Sequence, residues 1–122
     1  MLAYEAGEFA PPAPVARAVV RGPAGEVQPD VPLLIDTGAD VSVVPRSVVE
    51  AVGAPVRPAD VPLRFLDGRE VAGDVAELVV EFLRYRFEGA FVVADAPYGV
   101  LGRNILNLLV VRLDGPRQTW ST

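Results

Sequence analysis

The sequence predicts one all-β domain, closed or sandwich-like, with one or two short helices. Three observations lead there. Twelve Pro and eleven Gly are scattered along 122 residues and cut the chain into short runs. Those runs are rich in Val, Leu, Ile and Phe, the composition of buried strands. Two Asp-Gly pairs, Asp67-Gly68 and Asp114-Gly115, stand between such runs, and Asp-Gly is a favoured hairpin pair.

The elements follow in chain order. Residues 1–14 hold three prolines and little periodicity, which suits a flexible arm or an extended edge segment ahead of a domain spanning 15–122. Val15 to Arg21 reads as a strand, and Gly22-Pro23-Ala24-Gly25 as a turn. Val31 to Ile35 is apolar throughout and reads as a strand buried on both faces. A polar turn at Asp36 separates it from Val41 to Val44, another buried strand. Pro45 to Gly53 suits a short helix, with Pro in its first turn, Gly at its end and Pro55 barring continuation. Arg57 to Asp60 reads as loop. Val61 to Phe65 and Glu70 to Phe82 form a hairpin around Leu66-Asp67-Gly68-Arg69. Leu78–Phe82 and Ala90–Ala94 bracket a second hairpin, with its turn at Arg84 to Gly89. Val100-Leu101 is a short buried strand, and Arg103 to about Leu108 a helix. Val110–Leu113 and Gln118–Trp120 close the chain as a last hairpin.

Composition removes much chemistry. There is no His and no Cys, which excludes Ser-His-Asp and Cys-His hydrolases and metal sites built on imidazole or thiolate. Neither a metal nor a cofactor is expected. All 11 basic residues are Arg, so Schiff-base chemistry and a phosphate-loop lysine are excluded. A net charge of −5 argues against nucleic acid or an anionic membrane as partner. No apolar run approaches the roughly 20 residues of a membrane span, and Met1-Leu2-Ala3-Tyr4-Glu5 lacks a basic leader. With no cysteine to oxidise, the expected location is cytoplasmic.

Two motifs remain that carry chemistry. In Leu33-Leu34-Ile35-Asp36-Thr37-Gly38-Ala39-Asp40, a strand delivers one carboxylate into a tight turn between apolar flanks. Gly38 permits a conformation or an approach that a Cβ would forbid. Asp-Thr-Gly by itself is three common residues, and the bland reading is a turn aspartate bonded to local amides. The second motif is Val100-Leu101-Gly102-Arg103-Asn104, a strand running through Gly into a helix. A buried Arg at such a junction needs an acidic partner, and Asp40 is the natural one.

Taken together and in this order, the two motifs resemble those of the retropepsin-like aspartic proteases, the single-lobe type of retroviruses, retroelements and some bacterial proteins. The resemblance spans about Val15 to Val111. It implies a closed, barrel-like acid-protease fold with a flap hairpin. It also implies a catalytic centre of Asp36, Thr37 and Gly38, with Thr37 in an inter-subunit grip. Ala39, Asp40 and Val100 would contact substrate, as would the flap tip Phe65, Leu66, Asp67 and Gly68. Gly102, Arg103 and Asn104 would support the site. The flap tip is not glycine-rich as in the best-known viral members. The helix after Val44 and the hairpin after Val110 are closer to cellular or bacterial relatives.

Peptide hydrolysis of this kind uses two carboxylates that share a proton. The chain has one Asp-Thr-Gly, so the resemblance implies a homodimer acting on a peptide or protein substrate, with one Asp36 from each copy. The rival reading is a catalytically inactive module of the same fold, used for dimerisation or peptide capture. A third is a domain cut from a longer polyprotein or membrane-bound protein.

Overall fold

The computed structural model describes the backbone of residues 1–64 and 70–122, and the side chains outside 60–72. Ten strands and two short helices alternate along the described chain. They are β1 (Leu2–Ala3), β2 (Val15–Arg21), β3 (Val27–Ile35), β4 (Val43–Pro45), α1 (Arg46–Ala51), β5 (Val56–Arg64), β6 (Glu70–Phe82), β7 (Tyr85–Ala94), β8 (Gly99–Leu101), α2 (Arg103–Leu106), β9 (Arg112–Asp114) and β10 (Thr119–Ser121).

Seven strands pair in the order β2-β3-β8-β4-β7-β6-β5, and β2 pairs again with β6. That second pairing closes six of them into a barrel and leaves β5 as a flank on β6. The seam runs through Val19↔Glu81, Val20↔Val80 and Arg21↔Val79. Closure removes the unpaired edges that an open sheet of this length would expose. Inward positions alternate along each strand: Ala16, Ala18 and Val20 on β2, Val31, Leu33 and Ile35 on β3, and Ala76, Leu78 and Val80 on β6 are all buried. Val49 and Val52 from the α1 region join this core, as do Ile105 and Leu106 of α2. No helix among the described residues is long and apolar enough to cross a membrane.

β8 sits between β3 and β4, the two strands joined by the Asp36 turn. It runs parallel to β3, with Leu33↔Gly99, Leu34↔Val100 and Ile35↔Leu101 in register. It runs antiparallel to β4 through Val43↔Val100. The turn therefore arches over the end of a strand that arrives about sixty residues later in the chain. At Gly99 the strands approach so closely that a Cβ would lie 2.4 Å from the Val43 carbonyl oxygen and 2.5 Å from a Leu33 methyl.

Several boundaries differ from the sequence expectation. The segment 57–60, read as loop, belongs to β5. Among the described residues that strand pairs only with β6, an edge position where proline is tolerated, and the register shifts between Pro58 and Pro62. The turn read at Arg84 to Gly89 is instead the pair Leu83-Arg84, because Phe82 pairs directly with Tyr85. Leu83 takes φ +51°, a left-handed geometry that a tight hairpin demands. Phe82 stacks against Phe87 at 5.8 Å between ring centroids, which holds the hairpin closed where the sequence offers no turn residue. Gly89, the misleading signal, lies within β7. β3 begins at Val27 rather than Val31, β4 is shifted to Val43–Pro45, and α2 ends at Leu106.

Residues 1–14 contribute an edge. β1 pairs with β10 through Leu2↔Trp120, in a three-stranded sheet ordered β1-β10-β9. A bridge between Glu5 and Ala13 closes the residues between them into a loop. Arg17 anchors that loop through a two-pronged ion pair with Glu5, its Nη2 2.5 Å from Oε1.

Candidate active site

The Asp36 turn is built from its own amides. Ala39 N–H donates to the Asp36 carbonyl at 3.2 Å, and Gly38 N–H donates to Asp36 Oδ1 at 2.9 Å. The second bond curls the carboxylate back over its own turn, as short polar side chains do. Asp36 N–H donates to the Leu101 carbonyl at 3.1 Å, which fixes the start of the turn on β8. Asp36 is half-buried, whereas Thr37 and Gly38 are exposed. The carboxylate thus stands at the rim of the barrel within reach of solvent.

The second motif locks into the first from below. The opening N–H groups of a helix have no partner within it. Here Arg103 N–H donates to the Ala39 carbonyl at 2.8 Å, and Asn104 N–H to the Asp40 carbonyl at 3.3 Å. The Arg103 guanidinium donates to the Thr37 carbonyl at 2.5 Å and forms an ion pair with Asp40. That is the pairing the sequence suggested. Both side chains are substantially exposed, so the pair orients the turn more than it stabilises the fold.

Gly102 makes the close fit possible. A Cβ there would lie 2.3 Å from the Val41 carbonyl oxygen and 2.9 Å from that of Ala39. No side chain fits beneath the turn without moving its backbone.

Ser42 was not singled out in the sequence, yet it joins the two motifs. It is buried, accepts the Gly102 N–H at 3.0 Å and donates to Asn104 Oδ1 at 2.8 Å. The available signal was a lone hydroxyl within the apolar run Val41 to Val44. Buried polar side chains are retained where they meet partners.

Of the expected site residues, Asp36, Thr37, Gly38, Ala39, Asp40, Gly102, Arg103 and Asn104 converge at this crossing. Val100 lies on β8 opposite Leu34 and Val43. The flap tip at Phe65, Leu66, Asp67 and Gly68 falls outside the described residues. Among the described residues no group of three or more acidic side chains is arranged to hold a metal ion.

A single-lobe barrel with a carboxylate turn arched over a threaded strand is the retroviral-protease type of fold. The solved structure of the EIAV protease complexed with the inhibitor HBY-793 is similar to this chain, with a TM-score of 0.62 and 22% identity. The match covers 78% of this chain and 86% of that one. The aspartyl protease family model matches residues 17–105, more than half of the chain, and the chain belongs to that family as a retropepsin-like aspartic protease. No curated protein sequence matches it.

Proposed function

We propose that this protein is an aspartic endopeptidase, active as a homodimer in which each copy supplies one Asp36. The observation that carries the reading is a half-exposed aspartate held by Gly38 N–H, with the chain's other nearby carboxylate, Asp40, already committed to Arg103. One such aspartate is half of the required pair. Two of them facing each other across a two-fold axis cannot both ionise, so one proton is shared. The ionised member takes a proton from water, and the resulting nucleophile attacks the scissile carbonyl carbon. The protonated member donates to the carbonyl oxygen, giving a tetrahedral diol. That diol then collapses: the C–N bond breaks as the proton taken from water passes to the leaving amine nitrogen and the other carboxylate recovers a proton from a diol hydroxyl, so the pair again holds one proton. Thr37, exposed beside Asp36, meets the Thr37 of the second copy beneath the pair. Gly38, Ala39, Asp40 and Val100 line the path of an extended peptide. Gly102, Arg103 and Asn104 hold the turn in position. The substrate is a peptide or protein, with neither nucleic acid nor membrane involved. The absence of cysteine suits a cytoplasmic setting.

The test is cleavage of a degenerate peptide library by the wild type and by Asp36→Asn, from acidic to neutral pH. The wild type should cleave, with an optimum on the acidic side where the pair holds one proton. The variant should lose at least about a hundredfold in kcat/KM, the low end of what a positioned acid or base contributes. Equal cleavage by both would remove Asp36 from the chemistry. Cleavage by a form that sedimentation shows to be strictly monomeric would remove the dimer.

A further inference from the structure

A cavity away from the carboxylate crossing lies where the terminal sheet packs on the barrel. β1 and β10 pair there through Leu2↔Trp120, and Trp120 lines the cavity with Val15 and Ala16 of β2 and Phe82 at the end of β6. Those four side chains are buried, whereas Leu2 and Ala3 at the rim are exposed. The mouth therefore opens between the arm and the barrel. The cavity encloses about 150 Å³. An apolar cavity of that volume accepts a benzene-sized molecule. None of its lining residues belongs to either motif of the crossing.

The wall holds one open donor. Trp120 is 1% exposed, and its indole N–H meets no acceptor among the described residues. Buried donors are almost always paired, and an unpaired one is costly. A water molecule would meet this N–H, but a buried water needs roughly two to four polar partners. The charged side chains of the wall are already committed. Arg17 donates to Glu5 from Nε at 3.0 Å and from Nη2 at 2.5 Å, and its Nη1 stands 3.7 Å from Asp30 Oδ1. The guanidinium thus faces two carboxylates, which disfavours an anionic ligand. An apolar wall with one open donor suits an uncharged acceptor on an apolar body.

We infer that this cavity is a binding site for a compact, uncharged molecule with an apolar body and a carbonyl-type oxygen, which accepts the Trp120 indole N–H. An occupant that touches Leu2, Trp120, Ala16 and Phe82 at once fastens the terminal sheet to the barrel. The site is independent of the peptidase reading.

Trp120 is the single tryptophan of the chain, so the isotope-labelled full chain gives one indole N–H resonance by NMR. Three probes are titrated: cyclohexanone, methylenecyclohexane, which keeps the shape but replaces the oxygen with CH2, and cyclohexanecarboxylate. Cyclohexanone should shift the indole resonance saturably and raise Tm, as a ligand of the folded state does. Methylenecyclohexane, which lacks the acceptor, should bind roughly tenfold more weakly, the scale of one hydrogen bond to an otherwise unpaired donor. Cyclohexanecarboxylate should also bind more weakly than the ketone, because Glu5 and Asp30 repel it. Trp120→Phe, read by Tm shift, should bind the ketone and the hydrocarbon equally. Ala16→Val narrows the cavity and keeps the indole, and it should weaken cyclohexanone binding by roughly tenfold. It serves as the decisive variant if Trp120→Phe does not fold. A wild type whose indole resonance no probe shifts saturably would overturn the inference. So would equal affinity of the wild type for ketone and hydrocarbon, which would mark an unselective apolar hole. A water signal at the indole proton that cyclohexanone fails to displace would assign the donor to a resident water and overturn it as well.

Discussion

The crossing beneath Asp36 and the seam that closes the barrel both depend on polar side chains, yet they are held in different ways. At the crossing the central hydroxyl is buried: Ser42 is 2% exposed and accepts the Gly102 N–H in the interior, then donates outward to the exposed Asn104. At the seam, Arg21 meets Glu81 across β2 and β6, and Arg86 bridges Glu81 to Glu88. Arg21 is 41% exposed and Glu81 30%. Water can replace those seam partners, whereas the Gly102 N–H at the crossing is buried against the Ser42 hydroxyl. The same type of interaction therefore fixes geometry in one place and merely adorns a surface in the other.

Substitutions should reproduce that ranking. Gly102→Ala should have the largest effect, because its Cβ would collide with two backbone carbonyl oxygens that are part of the carboxylate turn. A loss of about 3 kcal/mol or more is expected, read as a large fall in the chemical-denaturation midpoint. A near-normal midpoint would show that the turn can move aside and that the crossing is softer than its contacts imply. Ser42→Ala should come next. It strands the buried Gly102 N–H, at a cost of about 1–3 kcal/mol. Ser42→Thr, which keeps the hydroxyl, should cost less than Ala if the bond, rather than the cavity, is what matters.

The seam should respond least, and in a pH-dependent way. The hydrogen bond from Arg21 holds the Glu81 carboxyl below its ordinary range, helped by the charges of Arg21 and Arg86. A lowered pKa in the folded state means that the charged form favours folding. Its contribution is present above the unfolded value and fades as pH falls through the folded one. The difference in Tm between the wild type and Glu81→Gln should therefore be small at neutral pH and vanish in strong acid. A difference that grew on acidification would reverse the assigned sign.

The same contrast explains what could be read before the structure was known. Asp36-Thr37-Gly38 and Gly102-Arg103-Asn104 were legible because local sequence dictates a turn and a strand-to-helix junction. The pairing of Asp40 with Arg103 was legible from the acid that closes the first motif, although the burial that would have demanded it is absent, since both side chains are substantially exposed. Ser42 was not, because a hydroxyl in an apolar run gains its meaning only when Gly102 and Asn104 arrive from far along the chain. The Leu83-Arg84 turn escaped notice for a related reason. Neither residue favours left-handed backbone, and the hairpin is set instead by the ring contacts of Phe82, Tyr85 and Phe87. The prolines of β5 imitated a loop because sequence does not mark a strand that pairs on one side only.

The threading of β8 between β3 and β4 has a consequence for the order in which the protein matures. During synthesis Asp36 emerges long before Leu101, yet β3 and β4 have no direct pairing to hold them together. Until the last quarter of the chain is made, Asp36 lacks its backbone acceptor and Asp40 its arginine. A nascent chain ending before β8 therefore carries the aspartate without the turn that would present it. The aspartate is early in sequence and its turn is completed late in time, so the proposed site is unfinished until β8 has been made.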